Sequence, residues 1–209
     1  MTTIARLTDS CLAVTTDQGT TLLDPGFHTW ESAEFDVTAI GEVQRVLITH
    51  EHGDHVSPAF VRWLVDRGDD VAVHANQAVA DLLSTHDIDV SLDPPDGTTA
   101  EDVVHALIPT GAQPPNRSWT IDGAITHPGD SYQPSSSAPV LALPLLVPWG
   151  SMTESVDFAR RLGPRQVVPI HDFYTSRQGR RWATGLAKSV LARDGIELIP
   201  LDWGESYSF

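Results

Sequence analysis

The period of apolar and polar positions changes repeatedly along the chain. Residues 4–26, IARLTDSCLAVTTDQGTTLLDPG, predict two or three short strands with Asp17-Gln18-Gly19 as a hairpin turn. Residues 43–50, VQRVLITH, are dense in Val, Ile and Leu and predict a strand ending at His50. Residues 57–69, SPAFVRWLVDRGD, predict a helix with Ser57 as N-cap and Pro58 at its first position. A short strand (VAVHAN, 71–76) and a helix (NQAVADLLSTH, 76–86) follow. The middle reads as a strand over 102–108 (DVVHALI), a loop over 109–116, and a hairpin over 117–127 around Asp122-Gly123. Residues 128–139, PGDSYQPSSSAP, predict a loop, short for an interdomain linker. The remainder predicts a buried strand (140–148), a helix with a Ser or Thr cap and a Gly-Pro stop (151–164), a strand ending in histidine (165–171), a helix (180–195) and a closing strand (196–209).

Strand predictions therefore alternate with helix predictions, which places the chain in the α/β class. Two segments share a plan of glycine, polar residues, apolar strand and histidine: GEVQRVLITH (41–50) and GPRQVVPIH (163–171). A third, GAITHPGD (123–130), is a strand that also ends in ligand-type residues. Polar groups gathered at strand ends build a site along a sheet edge.

At 209 residues the chain is expected to form a single domain over 1–209. Its 41% hydrophobic and 20% charged content are ordinary for a globular protein. No apolar run is long enough to span a bilayer, and the first residues lack a basic start and apolar stretch, so a cytoplasmic location is expected. The formal net charge of -15 argues against a nucleic-acid partner, and a small-molecule substrate is expected. Cys11 is the only cysteine, which removes intrachain disulfides and thiolate-rich zinc sites. A metal here must rest on His, Asp and Glu.

Residues 50–55, HEHGDH, supply such ligands. His50 and His52 are two apart and face the same way in an extended segment, so both reach one ion. Gly53 lets the backbone turn sharply, and Asp54 and His55 project toward a second position. One short stretch can thus feed two adjacent ions. The competing reading is a polar turn before a helix; four ligand-type residues around a glycine after a buried strand argue against it. The zincin pattern fails because position 54 is Asp where His is needed. A (β/α)₈ barrel of about 250 residues is longer than this chain.

The motifs THEHGDH (49–55), HPGDS (127–131) and VVPIH (167–171), with LLDPG (22–26) upstream, resemble the metallo-β-lactamase superfamily in order and span nearly the whole chain. The look is that of the branch holding ascorbate-phosphate lactonase-like and phospholipase-D-like hydrolases. The resemblance implies a four-layer αβ/βα sandwich and two divalent ions, zinc first, with manganese or iron as alternatives. It places His50, His52 and a later histidine on the first ion, Asp54, His55 and His171 on the second, and Asp130 between them. His105 is the choice for the later histidine; His74 and His86 compete. It also suggests Asp24 as a hydrogen-bond acceptor behind a ligand histidine, against a plain turn role. His127 is read as a supporting residue or a proton donor to a leaving group. His28 borders the same region without an assigned role.

The implied activity is that of a metal-dependent hydrolase, in which a metal-bound hydroxide oriented by Asp54 attacks a small ester, lactone or phosphodiester. The alternative is a non-catalytic metal-binding module. Ser131 has no base and orienter beside it in sequence, which excludes a serine mechanism. The oxygen-reducing diiron members of the family carry Glu where this chain has His52. Trp149 is open to two readings, substrate mouth or core packing. The helix start at 151–154 is a candidate anion cradle. Arg177, Arg180 and Arg181 follow His171 in sequence and are the cations expected to reach the site.

Overall fold

Short runs of aliphatic and β-branched residues pair here into two mixed sheets. The computed structural model describes residues 1–67 and 70–209, and the chain separates into two compact units: Met1–Asp96 with Asp202–Phe209, and Gly97–Leu201. Positions 68 and 69, the end of the expected 57–69 helix, lie outside the described residues.

In the first unit, β1 (Thr3–Arg6), β2 (Leu12–Thr16) and β3 (Gly19–Leu23) run antiparallel, with β2 and β3 joined through the expected 17–19 turn. Strands β4 (Arg45–Leu47) and β5 (Ala72–His74) then add in parallel to β3. Between these strands lie α1 (Phe27–Glu31), a 3₁₀ turn at Val37–Ala39 and α2 (Pro58–Arg67); α3 (Gln77–Ser84) follows β5. Helix α2 buries Phe60, Val61 and Leu64, spaced as one helical face, in a core with Leu22, Val46, Ile48, Val73 and Val79. The Trp30 ring stacks on Phe60 at 5.2 Å, so α1 joins the same core.

The second unit begins with antiparallel β6 (Thr98–Val104), β7 (Pro115–Ile121) and β8 (Ile125–His127). Asp122 and Gly123 both have positive φ, 49° and 61°, and the Ala124 amide donates to the Ile121 carbonyl at 2.8 Å. This is the type I′ geometry that matches strand twist, as the Asp-Gly pair predicts. Strands β9 (Val140–Pro144) and β10 (Gln166–Ile170) continue in parallel and are nearly continuous buried runs, as parallel strands covered on both faces require. Helices α4 (Met152–Leu162) and α5 (Arg177–Leu191) follow these two strands and pack Val156, Phe158, Ala159, Ala187 and Leu191 onto Leu141, Leu143 and Val167.

Three expectations needed correction. The strand expected over 102–108 is β6, which ends at Val104, because Asp102, Val103 and Val104 pair with Arg117, Asn116 and Pro115 and leave His105 just beyond the ladder. Helix α5 begins at Arg177, three residues before the expected start, because Ser176 caps it through the Gly179 amide. The single closing strand is two. β11 (Glu197–Leu198) pairs with β10, while β12 (Ser206–Ser208) pairs with β1 in the first unit's sheet. A turn through Trp203-Gly204 lies between them.

The two units repeat one plan: three antiparallel strands, then strand–helix–strand–helix with both strands parallel to the third. By sheet position β4 matches β9 and β5 matches β10. The similarity between 41–50 and 163–171 is therefore offset by one strand. The equivalent connections are Asp24-Pro25-Gly26 after β3 and His127-Pro128-Gly129 at the end of β8.

Two glycines give opposite expectations for stability. Gly163 closes α4 in the left-handed conformation, φ 62°, and a Cβ there meets nothing. Gly163→Ala should cost about 1 kcal/mol from backbone conformation alone. Gly185 lies inside α5, also with open space, so Gly185→Ala should stabilise by roughly 0.5–1 kcal/mol. Urea unfolding of each variant measures both; changes of the same sign would contradict the assignment.

Candidate metal centre

The ladder of β4 ends at Leu47, and residues 48–55 leave it as an extended stretch and a turn. The Ile48 amide still donates to the His74 carbonyl at 3.0 Å, and Ile48 and Thr49 are buried. The turn is closed by the His55 and Val56 amides, both donating to the His52 carbonyl at 2.9 Å. This folds the segment so that His50 Nε2 and His52 Nδ1 lie 3.0 Å apart, with the His50 and His55 rings 4.0 Å apart.

Asp24 anchors the stretch. It is fully buried, just past β3, with φ 47°. Its Oδ1 accepts from the Thr49 amide at 2.8 Å; its Oδ2 accepts from Thr49 Oγ1 at 2.9 Å and contacts His55 Nδ1 at 2.7 Å. The carboxylate fixes the His55 tautomer with the proton on Nδ1, directing the Nε2 lone pair outward as a ligand atom. Both the turn reading and the supporting reading of Asp24 hold at once.

Glycines fit this loop for reasons the sequence concealed. A Cβ on Gly26 would sit 1.8 Å from the Asp54 carbonyl oxygen, so the 24–27 segment docks backbone against backbone on the ligand turn. Phe27 N donates to the Gly53 carbonyl and Ser57 N to the Pro25 carbonyl, each at 2.9 Å. Gly53 has no positive φ; a Cβ there would instead press on the Phe27 ring at 3.1 Å. Space, rather than backbone freedom, selects glycine at 53.

In the second unit the ligand-type residues gather on one carboxylate oxygen. Asp130 Oδ2 lies 3.2 Å from His105 Nε2, 3.1 Å from His171 Nε2 and 2.7 Å from Trp149 Nε1, and both histidines and Asp130 are buried. His105 stands one residue past β6. Its amide is held by the Pro114 carbonyl at 2.9 Å and its Nδ1–H donates to the Ala106 carbonyl at 2.6 Å, which turns Nε2 toward Asp130. His171 stands one residue past β10 with φ 66°, a conformation disfavoured for a residue with a Cβ.

The loop that carries Asp130 is braced in part by a residue that carries no sequence signature. Buried Asn116 donates from Nδ2 to the Pro128 carbonyl at 2.9 Å and accepts the Asp130 amide on Oδ1 at 3.1 Å. His127 Nδ1 accepts from the Gly129 amide at 3.2 Å, which ties this buried ring to the same loop. Ser131 Oγ donates to the Val104 carbonyl at 2.8 Å and accepts the Gln133 amide, a structural role that agrees with the exclusion of a serine nucleophile.

Other candidates separate from these groups. His86 is exposed at the end of α3, and its carbonyl accepts from Arg62. His74 donates from Nδ1 to the Asp93 carbonyl at 2.7 Å. His28 is buried with Nδ1 2.8 Å from Asp9 Oδ2. Ser151 caps α4 by accepting the Glu154 amide and donating to the Glu154 carboxylate, so that helix start holds an acidic group of its own rather than an anion cradle. Arg180 folds back onto the Thr175 carbonyl and lies 3.8 Å from Asp172. Burial pushes the Cys11 thiol up, which keeps it a neutral core group.

The donor set fits divalent metal. Ligand atoms about 2.1 Å from a tetrahedral ion are roughly 3.4 Å apart, and the His50–His52 and His105–Asp130–His171 separations of 3.0–3.2 Å approach that spacing. Neutral imidazole and carboxylate suit zinc, manganese or iron.

Residues 6–171 match the family model of the metallo-beta-lactamase superfamily. Protein Rv0786c of Mycobacterium tuberculosis (strain ATCC 25618 / H37Rv) is 28% identical over 188 residues, covering 82% of this chain and 84% of that protein. A proposed metal-dependent hydrolase of Parabacteroides distasonis ATCC 8503 is similar in structure, with a TM-score of 0.72, 22% identity, and coverage of 95% of this chain and 91% of that one. Igni18, a metallo hydrolase of Ignicoccus hospitalis KIN4/I, follows at a TM-score of 0.68 and 16% identity, covering 100% and 99%. The α/β sandwich class implied by the motifs is the fold of these neighbours. Among the described residues, no helix is long and apolar enough to cross a membrane.

Gly26→Ala tests the docking of 24–27 on the ligand turn. The backbone contact leaves no flexible atom to yield, so the variant should lose about 1–3 kcal/mol of stability and bind metal more weakly, by calorimetry and metal titration. Wild-type values would show that the two segments are not in contact.

Proposed function

The chain belongs to the metallo-β-lactamase superfamily of metal-dependent hydrolases, and from that premise we propose that it hydrolyses a small ester, lactone or phosphodiester at a centre of two divalent ions. In this reading, which follows the order of the family's motifs, His50, His52 and His105 would hold one ion and Asp54, His55 and His171 the other, with Asp130 between them. Zinc is the first candidate and manganese or iron the alternatives. The observation that carries the reading is the convergence of His105 and His171 on a single buried oxygen of Asp130. Two imidazoles from different strand ends, each turned inward onto one carboxylate, form half of a bridged site.

Bound ions supply a water of lowered pKa and polarise the substrate oxygen. The protein's own groups do the rest. Asp54 lies in the ligand turn, where its carboxylate orients the attacking water and accepts its proton. Asp24 holds the His55 ring against rotation through the 2.7 Å contact, and Thr49 keeps the Asp24 carboxylate in place. The Ala106 carbonyl does the same for His105. A non-catalytic metal-binding module is the second reading; the complete set of seven ligand-type side chains favours turnover. A small-molecule substrate agrees with the net charge of -15, which disfavours polyanions.

The reading is tested by metal analysis of purified protein together with a panel of lactones, phosphodiesters and carboxylic esters. Two equivalents of metal and turnover of one class are expected. Asp130→Ala should lower metal content and reduce activity more than about 100-fold, since even removing a partner that only orients a ligand costs 10–100-fold. His86→Ala should leave both unchanged. Metal-free wild-type protein that takes up no zinc, manganese or iron would overturn the dinuclear reading; metal-loaded protein inert toward the whole panel would favour the binding module.

A further inference from the structure

Trp149 occupies a position for which the ligand set gives no reason. It lies in the connection between β9 and α4, is only half-buried, and donates its indole N–H to Asp130 Oδ2 at 2.7 Å, closer than either His105 or His171 Nε2 approaches that oxygen. Its ring is edge-on to both histidines that share the oxygen, with centroids 5.8 Å from His105 and 6.3 Å from His171.

The indole is itself held. Tyr132 packs on it with centroids 4.8 Å apart, and Tyr132 in turn lies 5.4 Å from the buried Phe158 ring of α4. The Tyr132 hydroxyl pairs with Ser155 Oγ at 2.7 Å, and Ser155 donates to the Pro144 carbonyl at 2.6 Å at the end of β9. Gly150 completes the fit: a Cβ there would meet the Tyr132 hydroxyl at 2.9 Å and Val147 at 3.1 Å. A side chain with two rotatable bonds, packed on one face and backed by a residue without a Cβ, presents its single donor in one direction.

We propose that Trp149 is a positioning residue for the metal-bridging carboxylate. Its N–H fixes the plane of Asp130 before metal arrives, so that the carboxylate need not be ordered on binding. The proposal rests on the reading of Asp130 as a metal ligand, and it extends that reading to a residue outside the ligand set. An indole is a donor only and can never become a ligand that competes for the ion. Histidine or glutamine in the same place could ligate. Preorganisation by a neighbouring donor is worth about 10–100-fold in metal affinity where such partners have been removed.

The test is zinc binding by competition with a chromogenic chelator, on wild-type protein, Trp149→Phe, Asp130→Ala and the double variant. Phenylalanine keeps an aromatic ring beside Tyr132 and removes the N–H together with part of the indole. Trp149→Phe is expected to stay folded when metal-free, with an unfolding temperature lowered by about 2–4 °C for each kcal/mol lost, and to bind zinc about 10-fold more weakly. In the Asp130→Ala background the same substitution should have no further effect, because Trp149 acts through that carboxylate. Zinc addition should also change tryptophan emission in the wild type, and this change should be lost in Trp149→Phe. Unaltered or tighter zinc binding by Trp149→Phe, or an equal loss in the Asp130→Ala background, would overturn the proposal. Absence of zinc binding by the wild type would instead overturn the metal reading beneath it.

Discussion

A buried carboxylate must have its oxygens satisfied by hydrogen bonds, and in the first unit that requirement fixes the ligand turn. Asp24 is removed from solvent, and both its oxygens are engaged by groups on residues 49–55. Breaking that arrangement would leave an uncompensated buried charge, a cost large beside the few kcal/mol that separate folded from unfolded chains. The turn is therefore not free to choose its position relative to β3. Its backbone is set by the Phe27 and Ser57 amides, its distance by the missing Cβ of Gly26, and the His55 ring by the carboxylate itself.

The second unit meets the same demand with different chemistry. A side-chain amide, Asn116, takes the place of a carboxylate in bracing the connection after β8, accepting one backbone amide and donating to one carbonyl. His105 is oriented by a neutral carbonyl where His55 is oriented by an anion.

Much of this was legible in the chain. Apolar runs ending in histidine announced β4 and β10, and Asp-Gly announced the β7–β8 hairpin with its turn type. The stretch 50–55 stood out by its density of ligand-type residues, and its rings do gather in one turn. What was hidden depended on contacts distant in sequence. Asn116, Thr49 and Gly26 act through partners 14, 25 and 28 residues away, and none differs in type from residues that do nothing. Gly53 was visible as a glycine, but the Phe27 ring that demands it was not. The closing strand divided because the turn at 203–204 lets its last residues cross to β1, a pairing that no local pattern encodes.

The repeated plan of the two units shows how one scaffold can carry different chemistry at matching positions. The connection after β4 holds the ligand turn, whereas its counterpart after β9 holds Trp149, which lends a single N–H. His74 ends β5 and His171 follows β10, at matching places in the two sheets. Yet the His74 ring is tied to the Asp93 carbonyl, while the His171 ring turns onto Asp130. The backbone separates them: His171 has φ 66°, and His74 is not among the residues with positive φ. A histidine held in the left-handed region costs about 1–2 kcal/mol relative to ordinary strand geometry, and such strain persists only where surrounding structure enforces it. At β10 the ring so placed meets the buried carboxylate of Asp130; at β5 the ring meets the Asp93 carbonyl. Two histidines at equivalent strand ends thus differ in chemical availability because one of them has an anion to face.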